Sequence, residues 1–273
     1  MTKLSFTTMG TPEQDARGAI EFASRFGYQG IDLRISAHKG EIQPDATDND
    51  LKNVRSILDS EGIELAGLLS YNAVGSEDPA SWQAMTDSLV HHLEIGTALN
   101  SPSIRMFGGN PYGEVATDDF IKRTAECINA ALERVSTPIN IILQNHMGSY
   151  TAADSMRLND TVANNRFGQA FSPDHCILMK EEMDDIFARI RPYARQLYVS
   201  DVIFEPAPQS KHPHSGILPG KGVVPLKEAY DAIGGTDFTG YVTFKWEKLW
   251  QPHLEEPELA LPYFIDWWKN TCA

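Results

Sequence analysis

Two hydrophobic periods alternate along this chain. Short runs rich in β-branched and aromatic residues show the period of two that strands have, and longer segments between them place apolar residues three and four positions apart, as amphipathic helices do. The first pattern predicts strands at residues 4–9, 30–35, 64–71, 103–108, 140–146, 166–172, 196–201 and 241–247. The second predicts helices at residues 12–26, 48–61, 79–99, 117–135, 151–160, 183–194, 225–233 and 257–270.

Eight strands that are each followed by a helix predict a single (β/α)8 TIM barrel over residues 1–273. The alternative is a doubly wound open sheet, which usually has fewer strands and often a glycine-rich phosphate loop after the first one. The longest irregular segment, residues 204–222, follows the seventh predicted strand. Because active sites of such barrels lie at the carboxyl ends of the strands, we expect this segment to cover the barrel mouth and to be more mobile than the strands.

The last predicted strand carries charge on one of its faces. Val242, Phe244 and Trp246 share one face, whereas Lys245 and Glu247 share the other. A barrel packs its apolar face against the outer helices, so Lys245 is expected to point into the barrel near the mouth. There desolvation would lower its pKa and make it an amine nucleophile or a proton donor, or its stem would pack in the barrel while its head reaches water.

Composition narrows the class of protein. With 273 residues, of which 42% are hydrophobic, the chain can bury a sizeable core, and its net charge of -14 disfavours a nucleic-acid partner. No apolar run is long enough for a membrane helix, and the first residues lack a signal-peptide pattern. Three widely spaced cysteines, Cys127, Cys176 and Cys272, indicate neither a disulfide framework nor a metal knuckle. We therefore expect a cytoplasmic protein.

Three segments carry a resemblance to a known family. FGYQGIDLR, SIRMFGG and GYVTFKWEKLWQPHLEEPELALPYF resemble the xylose-isomerase-like TIM-barrel superfamily, and the likeness covers essentially the whole chain. That superfamily contains sugar isomerases, sugar-phosphate isomerases and epimerases, and relatives of endonuclease IV. The resemblance implies a divalent metal held by a Glu after strand five, an Asp after strand six, a His in strand seven and a Glu in strand eight, which polarises a sugar hydroxyl and carbonyl during proton transfer.

This chain departs from the family at all four metal positions. The local frames are Leu143-Gln144-Asn145-His146, Phe171-Ser172-Pro173-Asp174-His175, Leu197-Tyr198-Val199-Ser200-Asp201 and Lys245-Trp246-Glu247. Gln144, Ser172, Tyr198 and Lys245 thus replace the implied Glu, Asp, His and Glu. Neutral amides and hydroxyls bind dications weakly and an ammonium repels them, so we predict no metal cofactor.

The residues near the predicted strand ends are the candidate site. The candidate catalytic residues are Lys245, His175, Glu247 and His146. The candidate substrate-binding residues are Gln144, Ser172, Tyr198, Asp201 and Arg105. Arg105, like Arg34, ends a strand and could meet a phosphate or carboxylate group or form a salt bridge at the barrel mouth.

Three hypotheses about function remain open. The first is a metal-independent isomerase, epimerase or lyase that acts on a sugar. The second is a non-catalytic homologue, either a sugar-binding protein or a partner subunit of another enzyme. The third retains a divalent metal with relocated ligands drawn from His146, His175 and Glu247. In each case the expected partner is a small-molecule carbohydrate, with no nucleic acid and no membrane, and a homo-oligomer remains open.

Overall fold

Eight parallel strands form the centre of the molecule. The computed structural model describes residues 2–75, 78–109, 116–207 and 213–272. Its barrel strands are β1 (Lys3–Thr7), β2 (Gly30–Ile35), β3 (Glu64–Val74), β4 (Ser103–Gly108), β5 (Asn140–Gln144), β6 (Phe167–Phe171), β7 (Ala194–Val199) and β10 (Tyr241–Phe244). They close in the order β1-β10-β7-β6-β5-β4-β3-β2. The predicted (β/α)8 barrel is therefore confirmed for these residues.

The helices lie around the barrel. They are α1 (Ala16–Phe26), α2 (Asp48–Glu61), α3 (Trp82–Ala98), α4 (Asp118–Arg134), α5 (Ala152–Val162), α6 (Pro173–Leu178), α7 (Met183–Arg189), α8 (Leu226–Ile233) and α9 (Pro257–Thr271). Helix α1 begins at Ala16 and not at the predicted Pro12, because the Asp15 side chain accepts a hydrogen bond from Gly18 N–H and caps the first turn. Helix α6 is an addition to the predicted set and directly follows β6.

The last barrel strand shows the predicted alternation. The Phe244 ring stacks on Phe264 of α9, with centroids 4.8 Å apart, and on Trp246, at 5.3 Å. Strand β10 ends at Phe244, yet the Lys245 backbone N–H still donates to the Val199 carbonyl at 2.8 Å. The extended pairing therefore continues by one residue, and the Lys245 side chain is fully buried on the inner side.

A polar layer fills part of the barrel interior. The Asp32 carboxylate accepts hydrogen bonds from Gln196 Nε2, at 3.1 and 2.9 Å, and from the Tyr198 hydroxyl, at 3.1 Å. Gln196 Nε2 also donates to Thr243 Oγ1 at 2.7 Å. Burial raises the pKa of Asp32 to about 7, although these hydrogen bonds and the charge of Arg105 act in the opposite direction.

An antiparallel pair of short strands begins just before the segment that was predicted to be irregular and ends within it. Strands β8 (Asp201–Ile203) and β9 (Ser215–Ile217) pair antiparallel after β7, and residues 208–212 between them lie outside the described part of the chain. Ala207 and His214 line the cavity at the barrel mouth, so the segment contributes to its wall. That it is more mobile than the strands stays a prediction.

Asp201 anchors this pair of strands. Its carboxylate accepts backbone N–H groups of Val202, Gly220, Gly222 and Val224 at 2.8 to 3.0 Å. A Cβ on Gly222 would lie 2.2 Å from Asp201 Oδ1, so this close approach requires glycine. Asp201 is 1% exposed and does not line the cavity. Both carboxylate oxygens of Asp201 are thus bound to backbone amides, and its substrate-binding role stays a prediction.

Candidate functional site at the barrel mouth

A cavity of ≈ 500 Å³ opens at the carboxyl ends of the strands. Its volume lies within the roughly 300–1,000 Å³ that small-molecule sites usually have. Its walls come from residues that follow seven of the barrel strands or lie near their ends. They are Met9, Tyr71, Arg105, Phe107, Gln144, His146, Met147, His175, Ala207, His214, Glu247, Trp250, Gln251, Pro252 and His253.

Beneath this cavity the Lys245 ammonium holds three side chains. Its Nζ atom lies 2.8 Å from Asp174 Oδ2, 3.1 Å from His175 Nε2 and 3.2 Å from Glu247 Oε1. Three N–H donors thus meet three acceptors, and none of the Lys245 side chain is exposed. Lys245 is a candidate catalytic residue of the sequence analysis, and that role stays a prediction. The structure places Lys245 next to His175 and Glu247, which line the cavity, whereas Lys245 itself does not.

Charge keeps Lys245 protonated. Burial alone would lower its pKa, but the Asp174 and Glu247 carboxylates outweigh burial and raise the pKa above its usual value. The pKa of Lys245 is thus shifted in the direction opposite to the one expected from desolvation alone. In the other direction, Lys245 opposes the rise that burial imposes on the pKa of Asp174.

Both ring nitrogens of His175 face N–H donors. Because an ammonium can only donate, His175 Nε2 accepts from Lys245 Nζ at 3.1 Å. The Met147 backbone N–H is directed at His175 Nδ1 at 3.4 Å. Burial, followed by the nearby His146 and Lys245, lowers the pKa of His175 well below its usual value. His175 is therefore a neutral ring held between two donors.

The His146 ring has a defined proton position. Its Nδ1 lies 2.5 Å from the Met147 carbonyl oxygen, which can only accept, so Nδ1 carries the proton and Nε2 has a free electron pair. Burial and then Lys245 lower the pKa of His146 to about 4. The imidazoles of His146 and His175 contact each other, with ring centroids 4.0 Å apart.

Glu247 is a carboxylate in the wall of the cavity. Its side chain is 24% exposed and lines the cavity. Burial pushes its pKa upward, but Lys245 and then His146 outweigh burial and lower it. Glu247 is therefore a carboxylate at neutral pH and is open to a ligand.

The predicted substrate-binding residues are divided between two layers. Gln144 and Arg105 line the cavity, and Gln144 Nε2 donates to Ser172 Oγ at 3.1 Å. Ser172 is fully buried, while Tyr198, at 1% exposure, is bound to Asp32 in the barrel interior. Ser172 and Tyr198 do not line the cavity, and their substrate-binding role stays a prediction.

Arg105 is a cation in the wall of the cavity. It is 1% exposed as a residue, and its guanidinium lies 4.1 Å from the Phe107 ring centroid and 5.4 Å from that of Tyr71. Its Nε and Nη1 atoms have no hydrogen-bond partner among the described residues. The aromatic rings thus hold the guanidinium in place and leave N–H groups unused.

Asp174 belongs to the Lys245 cluster and was not among the candidate site residues of the sequence. The first turn of α6 brings it to Lys245. The available signal was an acid next to a predicted catalytic residue, His175, opposite an inward lysine. Tyr71 and Phe107 were not predicted as cavity walls either.

The donor groups at this mouth do not fit the divalent metal that the fold family implies. Lys245 Nζ already lies between His175 and Glu247, two of the three relocated ligands of the third hypothesis, and its charge repels a dication. Among the described residues, no group of three or more His, Cys, Asp or Glu side chains is arranged to hold a metal ion.

Comparison with known proteins identifies the class. Residues 20–271 match the family model of the xylose isomerase-like TIM barrel, and the chain belongs to that family. No match to a curated protein was found. In the residues that the structure describes, no helix combines the length and hydrophobicity that crossing a bilayer requires.

Solved structures share the fold at low identity. D-psicose 3-epimerase from Clostridium cellulolyticum H10 has a TM-score of 0.77 and 14% identity, with 99% of both chains covered. The probable 3-DHS dehydratase AsbF from Bacillus anthracis has a TM-score of 0.74 and 13% identity, with 98% of this chain and 99% of that chain covered. The IOLI protein with a bound zinc atom has a TM-score of 0.77 and 15% identity, with 98% and 96% covered. At these identities the likeness establishes the fold alone.

Proposed function

We propose that this chain is a metal-independent enzyme that moves a proton on a carbohydrate, as an isomerase, epimerase or lyase. The observation that carries the proposal is the Lys245 ammonium, which lies within 3.2 Å of both His175 and Glu247 at the cavity. The Lys245 ammonium orients the His175 and Glu247 side chains and keeps Glu247 ionised. Similarity of fold to a D-psicose 3-epimerase and a probable dehydratase supports the reaction class.

The residues divide into acceptors and donors of protons. Glu247, as a carboxylate, takes the proton from a carbon next to a sugar carbonyl, and the electron pair of that C–H bond moves to the carbonyl oxygen. His146 Nε2 accepts a hydroxyl proton, and the positive charge of Lys245 favours the negative charge on the carbonyl oxygen. Delivery of a proton from water to the opposite face, while Glu247 keeps the abstracted proton, gives epimerisation. Return of the proton from Glu247 to the neighbouring carbon gives isomerisation, and loss of a β-hydroxyl as water gives a lyase product.

Lys245 acts through other groups and is a positioning residue. Its charge stabilises Glu247 as a carboxylate and favours negative charge that develops nearby in the transition state. In this role it supplies, from one layer below, a positive charge where the family's metal would supply one. It does so without contacting the substrate.

Proton transfer can be tested without knowing the product. The chelator-treated protein is incubated with a panel of aldoses and ketoses in D₂O, and deuterium at the carbon next to the carbonyl is measured by NMR. We expect exchange with at least one sugar, and a loss of about 10²-fold or more in Glu247→Gln, since general acid–base catalysis typically contributes that much. Glu258→Gln, on exposed helix surface, is the matched control.

Two results would contradict the proposal. Exchange that appears only after Mn²⁺, Co²⁺ or Mg²⁺ is added would show metal dependence. Exchange at the parent rate in Glu247→Gln would remove the assigned base.

A second candidate, a non-catalytic sugar-binding protein, is favoured by the aromatic walls. Tyr71, Phe107 and the 56% exposed Trp250 offer ring faces on which sugar C–H groups can stack. Sugar binding detected by thermal shift, with no deuterium exchange for any sugar in the panel, would favour this candidate.

A further inference from the structure

An unpaired arginine in the wall of a cavity indicates what the cavity binds. Arg105 is 1% exposed, and its Nε and Nη1 atoms have no hydrogen-bond partner among the described residues. A buried donor without an acceptor is costly, and charged donors cost more than neutral ones. This cost is removed when a ligand brings an oxyanion to the guanidinium.

The carboxylates near Arg105 do not neutralise it. Asp32 is close enough for the Arg105 charge to lower its pKa, yet burial raises that pKa to about 7, so Asp32 is only partly ionised at neutral pH. Asp32 is also occupied by Gln196 and Tyr198. Glu247 is paired with Lys245 at 3.2 Å. Although the chain has a net charge of -14, no carboxylate of the described residues forms an ion pair with Arg105.

The surroundings favour a planar monoanion. The guanidinium lies over the Phe107 and Tyr71 rings, and its Nε and Nη1 atoms have no hydrogen-bond partner among the described residues. An arginine edge matches the two oxygens of a carboxylate. Phosphate groups more often gather backbone amides at a helix N-terminus or several cations, whereas here the second buried cation of the mouth, Lys245, is saturated by its own partners.

We propose that the ligand of this cavity is an acidic sugar whose carboxylate binds Arg105. This inference rests on the proposed function to the extent that the ligand is a carbohydrate. Arg105 holds the carboxylate at one wall, and the polyol part of the ligand then extends toward Glu247 and the two imidazoles. The chemical class is that of aldonates, uronates and their keto derivatives, and neutral ketoses lack the group that Arg105 is placed to bind.

Matched pairs of sugars test the proposal by calorimetry. The probes are D-glucuronate against D-glucose, D-gluconate against sorbitol, and D-glucose 6-phosphate, each titrated into the full-length protein at low and at high salt. We expect at least one acid to bind about tenfold or more tighter than its neutral partner, because a charged hydrogen bond typically contributes that much. The preference should weaken at high salt only slightly, since the guanidinium is buried.

Variants assign the preference to Arg105. Arg105→Met should remove it, and Arg105→Lys should retain part of it, because charge remains while the two-donor edge is lost. Arg17→Met removes the same charge from an exposed position on α1 and should leave the preference intact. Circular dichroism of each variant confirms that it is folded.

The other outcomes overturn the proposal. These are equal affinity for acids and neutral sugars, no binding of any carboxylate probe at millimolar concentration, an unchanged preference in Arg105→Met, and a preference for the phosphate over both carboxylates. Deuterium exchange on neutral sugars without any preference for acids would leave the proposed function standing and reject this inference. Binding of acids through Arg105 without deuterium exchange on any sugar would support this inference and reject the proposed function.

Discussion

Two arginines at the same level of the barrel have opposite surroundings. Arg34 of β2 and Arg105 of β4 are both in register with Leu69 of the strand between them, and both are at least 98% buried. Arg34 binds Glu41 with Nη2 and with Nε, whose distances to the two carboxylate oxygens are 3.2 and 3.3 Å. Arg105 instead faces two aromatic rings and the cavity.

Arg34 and Arg105 differ in whether they have a carboxylate partner, and not in burial or strand position. The paired arginine supports the fold, whereas the unpaired one is placed to bind a ligand. Glu41 returns to Arg34 from the segment after β2, where the Thr8 hydroxyl and the Arg34 backbone N–H also bind its carboxylate. No described segment brings an acid to the Arg105 edge in the same way. The salt bridge that the sequence left open for both arginines is thus formed by Arg34, while Arg105 remains available.

The largest effect on stability is expected for Lys245, which, like Arg34, is paired with carboxylates. Lys245→Met leaves the buried Asp174 carboxylate and Glu247 without their cation. We expect a loss of about 5 kcal/mol in the free energy of unfolding, or no folded protein, since removing one member of a buried pair is strongly destabilising.

Urea denaturation of Lys245→Met beside Lys245→Met/Asp174→Asn measures this. The double variant should recover part of the loss, because the asparagine is neutral. A single variant as stable as the parent would show that the cluster is not a stabilising pair.

Arg34→Met is expected to cost about 3–5 kcal/mol, because Glu41 is left as a buried charge. The double variant Arg34→Met/Glu41→Gln should lose less, since it removes both charges. Urea denaturation of the four proteins of this cycle gives the coupling energy. A coupling energy near zero would place Arg34 on the same side as Arg105.

The pH dependence of stability reports on the surroundings of Arg105. Because the folded pKa of Asp32, about 7, exceeds its unfolded value, the folded state holds the proton more tightly. The stabilisation is full below about pH 4 and is lost as pH rises to 7, with a total of roughly 4 kcal/mol at most. We expect the stability difference between the parent and Asp32→Asn to shrink or reverse over this range.

Replacing Arg105 should shift to higher pH the range over which the stabilisation from protonated Asp32 is lost, since the Arg105 charge lowers the pKa of Asp32. Denaturation midpoints of the parent, Asp32→Asn and Arg105→Met between pH 4 and pH 8 test both statements. A parent curve parallel to that of Asp32→Asn would exclude a raised pKa.

The smallest effect is expected for Arg105→Met. Removing an unpaired buried cation relieves its desolvation, while the contact with the Phe107 ring is lost, so we expect a change within about 1 kcal/mol and of either sign. Thermal denaturation beside Arg34→Met measures the contrast. A loss as large as that of Arg34→Met would show that Arg105 is an architectural cation after all.

Sequence patterns predicted the features that depend on period alone. The barrel strands lie within a few residues of their predicted ranges, and the inward direction of Lys245 follows from its alternation with Phe244 and Trp246. Cavity positions for His146, His175 and Glu247 follow from their places after the strand ends.

The remaining features depend on contacts between distant segments. Asp174 meets Lys245 across 71 positions of sequence, and Asp201 binds amides about twenty residues later. Neither contact has a periodic signal, because each is made by a loop or a short helix whose path is set by packing. For the same reason the pairing of Lys245 and the direction of its pKa shift could not be obtained from desolvation alone.

The cation between Asp174, His175 and Glu247 is encoded in the chain. It arrives with translation and is in place as soon as the barrel closes, at a fixed stoichiometry of one charge per molecule. It needs no loading step, does not exchange with the metal ions of its surroundings and cannot be extracted by a chelator. Its presence at the mouth is therefore set by folding and not by metal supply.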